Sequence, residues 1–139
     1  MVADVGGTRT KWAIFGPGRQ LARRRVEPTP SGGPIAVLES LLARARTLEL
    51  PLALALPGLI DGDRGIWRLS ANLGARDVCV REWFTQRGVE LPVLANDVSA
   101  AAAGEAAGGS LALLQVGTGV GARIVLAGHP LDGCPRHGG

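Results

Sequence analysis

A mixed α/β layer fold, with an antiparallel hairpin sheet extended by parallel strands through helical crossovers, is what this chain predicts. Three observations predict it. Short apolar runs punctuated by glycine, proline and aspartate open the chain, one segment of helical period follows Pro34, and an alanine-rich helix pattern follows Asn96-Asp97. The order reads β-β-β-α-β-α-β-α, followed by the opening hairpin of a second, incomplete lobe. The lobe boundary is placed at Gly108-Gly109, giving residues 1–108 and 109–139.

The first strand is short and ends at Asp4; a second runs from Lys11 to Phe15, and after Gly16-Pro17-Gly18 a third covers Gln20 to Val26. Tight turns make these neighbours antiparallel. Ile35, Leu38, Leu41, Leu42, Ala45 and Leu48 then repeat at helical spacing. Leu52 to Leu56 is a buried strand stopped by Pro57-Gly58. Leu59 to Asp77 reads as loop around Asp61-Gly62-Asp63-Arg64-Gly65, with a short strand at Ile66 to Leu69, and Val80, Trp83 and Phe84 suggest a short helix. Pro92 to Ala95 forms a strand delivering Asn96-Asp97 to the alanine-rich helix, which Gly108-Gly109 ends. Leu111 to Val116 and Ala122 to Leu126 flank Gly117-Thr118-Gly119-Val120-Gly121 as a second glycine-punctuated hairpin.

With 139 residues, 46% hydrophobic and 19% charged, the chain can close a genuine core and falls outside the disordered class. No apolar run is long enough to span a bilayer and the start lacks a signal-peptide pattern, so a cytoplasmic location is expected, with no membrane partner. Cys79 and Cys134 lack partners at metal-ligand spacing and read as reduced thiols. His129 and His137 likewise show no metal spacing. A net charge of +3 is too small to imply nucleic acid, and Arg23-Arg24-Arg25 reads as a solvated sheet edge. Lys11 is the only lysine in a chain that otherwise uses arginine.

That lysine falls within Asp4-Val5-Gly6-Gly7-Thr8-Arg9-Thr10-Lys11, a run suited to gripping phosphate. Adjacent glycines expose backbone N–H groups, Thr8 adds a hydroxyl, Lys11 a compact cation, and Asp4 can hold magnesium directly or through water. An ordinary hairpin turn accounts for the same glycines. Gly117, Thr118, Gly119 and Gly121 repeat the pattern, so two such loops can clamp a triphosphate.

Asp97 is the catalytic candidate, because a carboxylate just past a strand end at a helix start lies where open α/β sheets bind ligands. There it can act as general base toward an attacking hydroxyl. Helix capping explains an aspartate at that position equally well. Asn96 and Asn72 can hydrogen-bond ligand hydroxyls, turn chemistry being the alternative, and Gly58 lets a ligand approach the backbone or simply stops the strand. Glu105 lies about two turns from Asp97 and is assigned to solvent. Asp61 and Asp63 read as a polar turn.

In these residues the chain resembles the ROK family of repressors, open reading frames and sugar kinases, within the actin-like (ribonuclease H-like) superfamily. Asp4 to Thr8 resembles the first phosphate motif, Leu56-Pro57-Gly58-Leu59-Ile60-Asp61 with Gly65-Ile66 the sugar-loop region, and Ser70-Ala71-Asn72-Leu73 the sugar-contacting segment. Asn96 to Ala101 resembles the catalytic motif and Gly117 to Gly121 the second phosphate motif. The resemblance implies an ATP-dependent, glucokinase-like transfer of the γ-phosphate to a hexose or amino-sugar hydroxyl. Asp97 would be the base, Asn72 and Asn96 the sugar holders, and Asp4 with the glycine loops the magnesium and phosphate ligands. It leaves open a homo-oligomer and the choice of sugar.

The sequence ends at His137-Gly138-Gly139, where the family pattern continues into a Gly-Glu-x-Gly-His sugar motif, a cysteine-rich zinc site and an adenosine-binding segment. None of these, the zinc site included, lies in this sequence, and the expectation is little kinase activity from these residues alone. Two alternatives remain: a sugar-responsive transcriptional regulator, which the position of Asp4 and the low charge disfavour, and a non-catalytic sugar-binding module.

Overall fold

The computed structural model describes residues 1–117 and 119–131, and the chain divides into two compact units, Met1–Asp97 and Val98–Gly139. Thr118, Cys134 and His137 lie outside the described residues. The first unit opens with β1 (Val2–Val5), β2 (Arg9–Phe15) and β3 (Leu21–Pro28), a meander turned between β2 and β3 by a 3-10 segment at Pro17–Arg19. Helix α1 (Gly33–Thr47) leads into β4 (Ala53–Leu56). The chain then makes β5 (Leu59–Asp61), β6 (Ile66–Ser70), β7 (Ala75–Cys79), helix α2 (Val80–Thr85) and β8 (Val93–Asn96).

Five strands form the main sheet in the order β3-β2-β1-β4-β8. β1 runs antiparallel to β2 but parallel to β4, and β4 parallel to β8, as the hairpin and crossover lengths require. Side-chain alternation assigns one face to the core: Ala3, Val5, Trp12, Leu54 and Leu56 are buried with Val37, Leu38, Leu41, Leu42 and Ala45 of α1. The other face carries Asp4 beside its cross-strand partner Lys11. The triple arginine lies on β3, an exposed edge strand that also tolerates Pro28.

Where the sequence reads as loop with one short strand, the chain forms a second antiparallel sheet, β5-β6-β7. These strands are three to five residues long and mostly exposed or half-exposed, so they carry little apolar periodicity of their own. They are held by pairing and by Trp67, fully buried against the α2 side chains Val80 and Phe84 in one continuous core. Arg68 bridges the outer strands, bonding Asp61 at 3.1 Å and Asp77 at 3.0 Å.

Helix α3 (Asp97–Ala106) starts at the residue after β8, with no connecting loop. Within the second unit, β9 (Leu111–Val116), β10 (Val120–Leu126) and the two-residue β11 (His129–Pro130) make a third antiparallel sheet, ordered β11-β10-β9. Among the described residues no helix is long and apolar enough to cross a membrane.

Candidate functional site

The parallel pairing of β1, β4 and β8 decides where the predicted site residues go. Asp4 is in register with Ala55, and Ala55 with Ala95, so the three strands end level with one another. Gly6-Gly7 after β1, Pro57-Gly58 after β4 and Asp97 after β8 therefore leave the same end of the sheet. Neighbouring strands are spaced about 4.8 Å apart, so β1 and β8 stand roughly 10 Å apart across β4.

The β1–β2 turn is built by hydrogen bonds. The Gly6 N–H donates to the Arg9 carbonyl at 2.9 Å, and a Cβ on Gly6 would stand 2.7 Å from that oxygen, so the turn requires glycine. That N–H is committed to the turn, which shifts any anion-facing role to the donors beyond it. Thr29 latches the same turn from 23 residues away. Its hydroxyl donates to the Gly6 carbonyl at 2.7 Å and meets the Thr10 hydroxyl at 3.0 Å, while its N–H donates to the Thr8 carbonyl at 3.0 Å. Thr10 is almost fully buried, and Thr29 gives its hydroxyl a partner. Lys11 Nζ donates to Asp4 Oδ2 at 3.0 Å across the strands, with both side chains about half exposed.

Asn72 sits in the turn between β6 and β7, against the glycine turn: a Cβ on Gly7 would lie 3.2 Å from the Asn72 Cβ and 3.4 Å from its Nδ2. The first phosphate-motif candidate and the first sugar-segment candidate, far apart in sequence, thus meet in space.

Pro57-Gly58 is held at both carbonyls. Trp67 Nε1 donates to Pro57 O at 2.9 Å and Asn96 Nδ2 to Gly58 O at 2.8 Å. Gly58 adopts φ +94°, and a Cβ there would overlap the Leu69 carbonyl, so the bend admits only glycine. Asn96 also donates from Nδ2 to Asp97 Oδ1 at 2.9 Å. One amide group therefore joins the carboxylate to the strand-end bend, a reason for Asn at this position that capping alone does not supply.

In the second unit, Gly117 N–H donates to Gly119 O at 2.8 Å, closing the β9–β10 turn. A Cβ on Gly121 would collide with Val98 Cγ2, so close packing under the first turn of α3 accounts for that glycine. Thr118 lies outside the described residues. Among the described residues, no cluster of three or more His, Cys, Asp or Glu is placed to hold a metal ion.

Sequence reasoning missed Thr29 and Trp67. Each acts on a backbone carbonyl distant in sequence, and neither residue type carries a signal for that.

The ROK family model matches residues 1–138. A glucokinase from Halalkalibacterium halodurans is 30% identical over 148 residues, covering 94% of this chain and 44% of that protein. An N-acetylmannosamine kinase from Escherichia fergusonii is 32% identical over 143 residues, covering 96% of this chain and 49% of that one. The crystal structure of an inorganic polyphosphate/ATP-glucomannokinase from Arthrobacter sp. strain KM superposes with a TM-score of 0.77 at 25% identity, covering 95% of this chain and 60% of that one. The chain spans about half the length of these two curated relatives. With a mixed α/β sheet of the actin-like order and a match along nearly its whole length, the chain belongs to the ROK family, which holds both sugar kinases and sugar-responsive regulators.

Proposed function

We propose that this chain provides the N-terminal lobe, residues 1–108, and the start of the second lobe, residues 109–139, of an ATP-dependent sugar kinase. The observation that carries the reading is the shared sheet end: Gly6-Gly7, Pro57-Gly58 and Asp97 leave level parallel strands, with Asn72 against Gly7. Kinase names among the relatives support it. Asp97 accepts the proton of a hexose or amino-sugar hydroxyl as that oxygen attacks the γ-phosphorus of ATP, and ADP leaves. Asn72 and Asn96 orient sugar hydroxyls, and Asn96 also holds the Asp97 carboxylate in place through the 2.9 Å bond.

Thr8 and the N–H groups beyond Gly6 are assigned to phosphate oxygens, with Lys11 adding charge; in the second glycine loop, Gly117, Thr118, Gly119 and Gly121, the Gly117 N–H is committed to its turn and Gly121 to packing on Val98, so the phosphate role there rests on Thr118 and Gly119. Magnesium suits a site with a single carboxylate completed by phosphate oxygens, and Asp4 fits, since it is half exposed with one carboxylate oxygen paired to Lys11. Bound there, the ion would neutralise phosphate charge.

A coupled ADP-release assay with glucose and N-acetylmannosamine tests the proposal. The complete gene product is expected to turn over one of these sugars. Asp97→Asn should lower kcat about 10²- to 10⁴-fold while leaving sugar affinity within about threefold. Unaltered turnover removes Asp97 from the mechanism. The 139-residue chain alone is expected to show little or no turnover, and ordinary turnover by it would contradict the two-lobe reading.

A further inference from the structure

The core face of the main sheet carries a second feature, away from the glycine turn. A pocket of about 350 Å³ lies between the β2–β3 hairpin and α1, lined by Trp12, Arg23, Ser40, Arg44 and Thr47 among others. Both guanidinium groups lie over the same indole: Arg44 Cζ is 4.7 Å from the Trp12 ring centroid and Arg23 Cζ 5.5 Å. Attraction to the ring explains where each arginine sits. It does not explain the charge, because two cations share one ring and, among the described residues, no carboxylate lines the pocket. Glu27 neutralises Arg44 through a 2.6 Å ion pair. Among the described residues Arg23 has no such partner.

The Trp12 side chain is only 3% exposed, and among the described residues its buried Nε1–H has no hydrogen-bond acceptor. A buried donor left unpaired is costly and is uncommon in folded proteins. Lining the pocket are one guanidinium without an ion-pair partner among the described residues, a second locked in place by Glu27, and the Ser40 hydroxyl. We propose that the pocket binds a small phosphate-bearing anion, either inorganic phosphate or a phosphate monoester. Two of its oxygens engage the guanidinium forks, a geometry that suits phosphate, beside the Trp12 ring that both guanidinium groups cover.

This site is distinct from the glycine turn. Arg23 pairs with Ile14, at the far end of β2 from Arg9, where that turn begins. At about 3.4 Å per residue the separation is roughly 17 Å.

The indole N–H resonance of Trp12 gives a local readout, assigned by comparison with Trp12→Phe. In ¹H–¹⁵N spectra of the 139-residue chain, inorganic phosphate and hexose 6-phosphate are titrated separately to about 10 mM, with the unphosphorylated hexose as control. The Trp12 resonance should move while that of Trp67, whose Nε1 is bonded to Pro57 O, stays in place. Arg23→Gln, on an exposed edge strand and therefore compatible with folding, should weaken the effect at least tenfold, as expected for a lost charge-assisted hydrogen bond. Movement with both probes identifies the phosphate group as the determinant; movement with hexose 6-phosphate alone identifies the monoester. A Trp12 resonance that stays still with both, that moves equally with the neutral hexose, or that moves unchanged in Arg23→Gln overturns the proposal. Loss of sugar-kinase activity would leave it intact, since the readout requires no phosphoryl transfer.

Discussion

Thr29 holds the first turn with a single hydroxyl that donates to the Gly6 carbonyl and meets the buried Thr10 hydroxyl. Replacing it by valine keeps the shape and β-propensity but removes both partners. Thr29→Val should therefore cost about 1–3 kcal/mol, read as a lowered urea midpoint with an unchanged slope, and Thr29→Ser should restore most of it. Gly58 is constrained from two directions, by φ +94° and by the Leu69 carbonyl where a side chain would begin. Gly58→Ala should destabilise by more than about 1 kcal/mol, and thermal unfolding measures it. Sequence reading identified Gly58 and Asn96 as candidate ligand contacts. It could not see that they bond each other at 2.8 Å across 38 residues, because nothing in a local pattern encodes which carbonyl an amide will find. The place of Asp97 at the junction of β8 and α3 was legible for the opposite reason: an acid at the seam between a strand pattern and a helix pattern is a local signal.

At the level of elements, the β5-β6-β7 sheet depends on polar as much as apolar contacts. Asp61 takes the Arg64 N–H at 3.1 Å and the Arg68 guanidinium at 3.1 Å, and Arg68 continues to Asp77. The Asp61 carboxyl is held below its ordinary value of 3.8, first by the Arg64 backbone N–H and further by Arg68, with desolvation opposing them. A depressed carboxyl contributes stability that is complete above its unfolded value and is lost as pH falls through the folded one. The difference in urea midpoint between the parent chain and Asp61→Asn should thus be constant near neutrality and shrink as pH drops below 3.8. An unchanging difference would contradict this origin. The same sheet was largely invisible in the sequence because its strands are short and interrupted by Gly62, Gly65 and Gly74, so cross-strand partners, not periodicity, define them. Helix α1 and strand β4 were read closely, since each buries a continuous apolar stripe.

At the largest scale, burial in the first unit gathers around one cluster in which the main sheet, α1, the second sheet and α2 share side chains. Trp67 belongs to that cluster and also donates to Pro57 O, so the core and the strand-end bend are mechanically one. Trp67→Phe should keep most of the packing yet leave the Pro57 carbonyl without its donor. Fold stability should fall modestly, by about 1–2 kcal/mol, while sugar affinity in the complete protein falls further than stability predicts, a split that calorimetry and denaturant titration together resolve.

Because β8 passes into α3 without a single intervening residue, the location of the Asp97 carboxylate is a matter of counting. Removing one residue from β8 would swap the inward and outward sides of that strand, or else swing the acid about 100° around the helix axis. Either outcome displaces the carboxylate with every side chain nearby still intact. Length changes upstream, in the stretch between α1 and β4, leave that count untouched. Deletion scanning of this protein should accordingly find abrupt loss at 93–97.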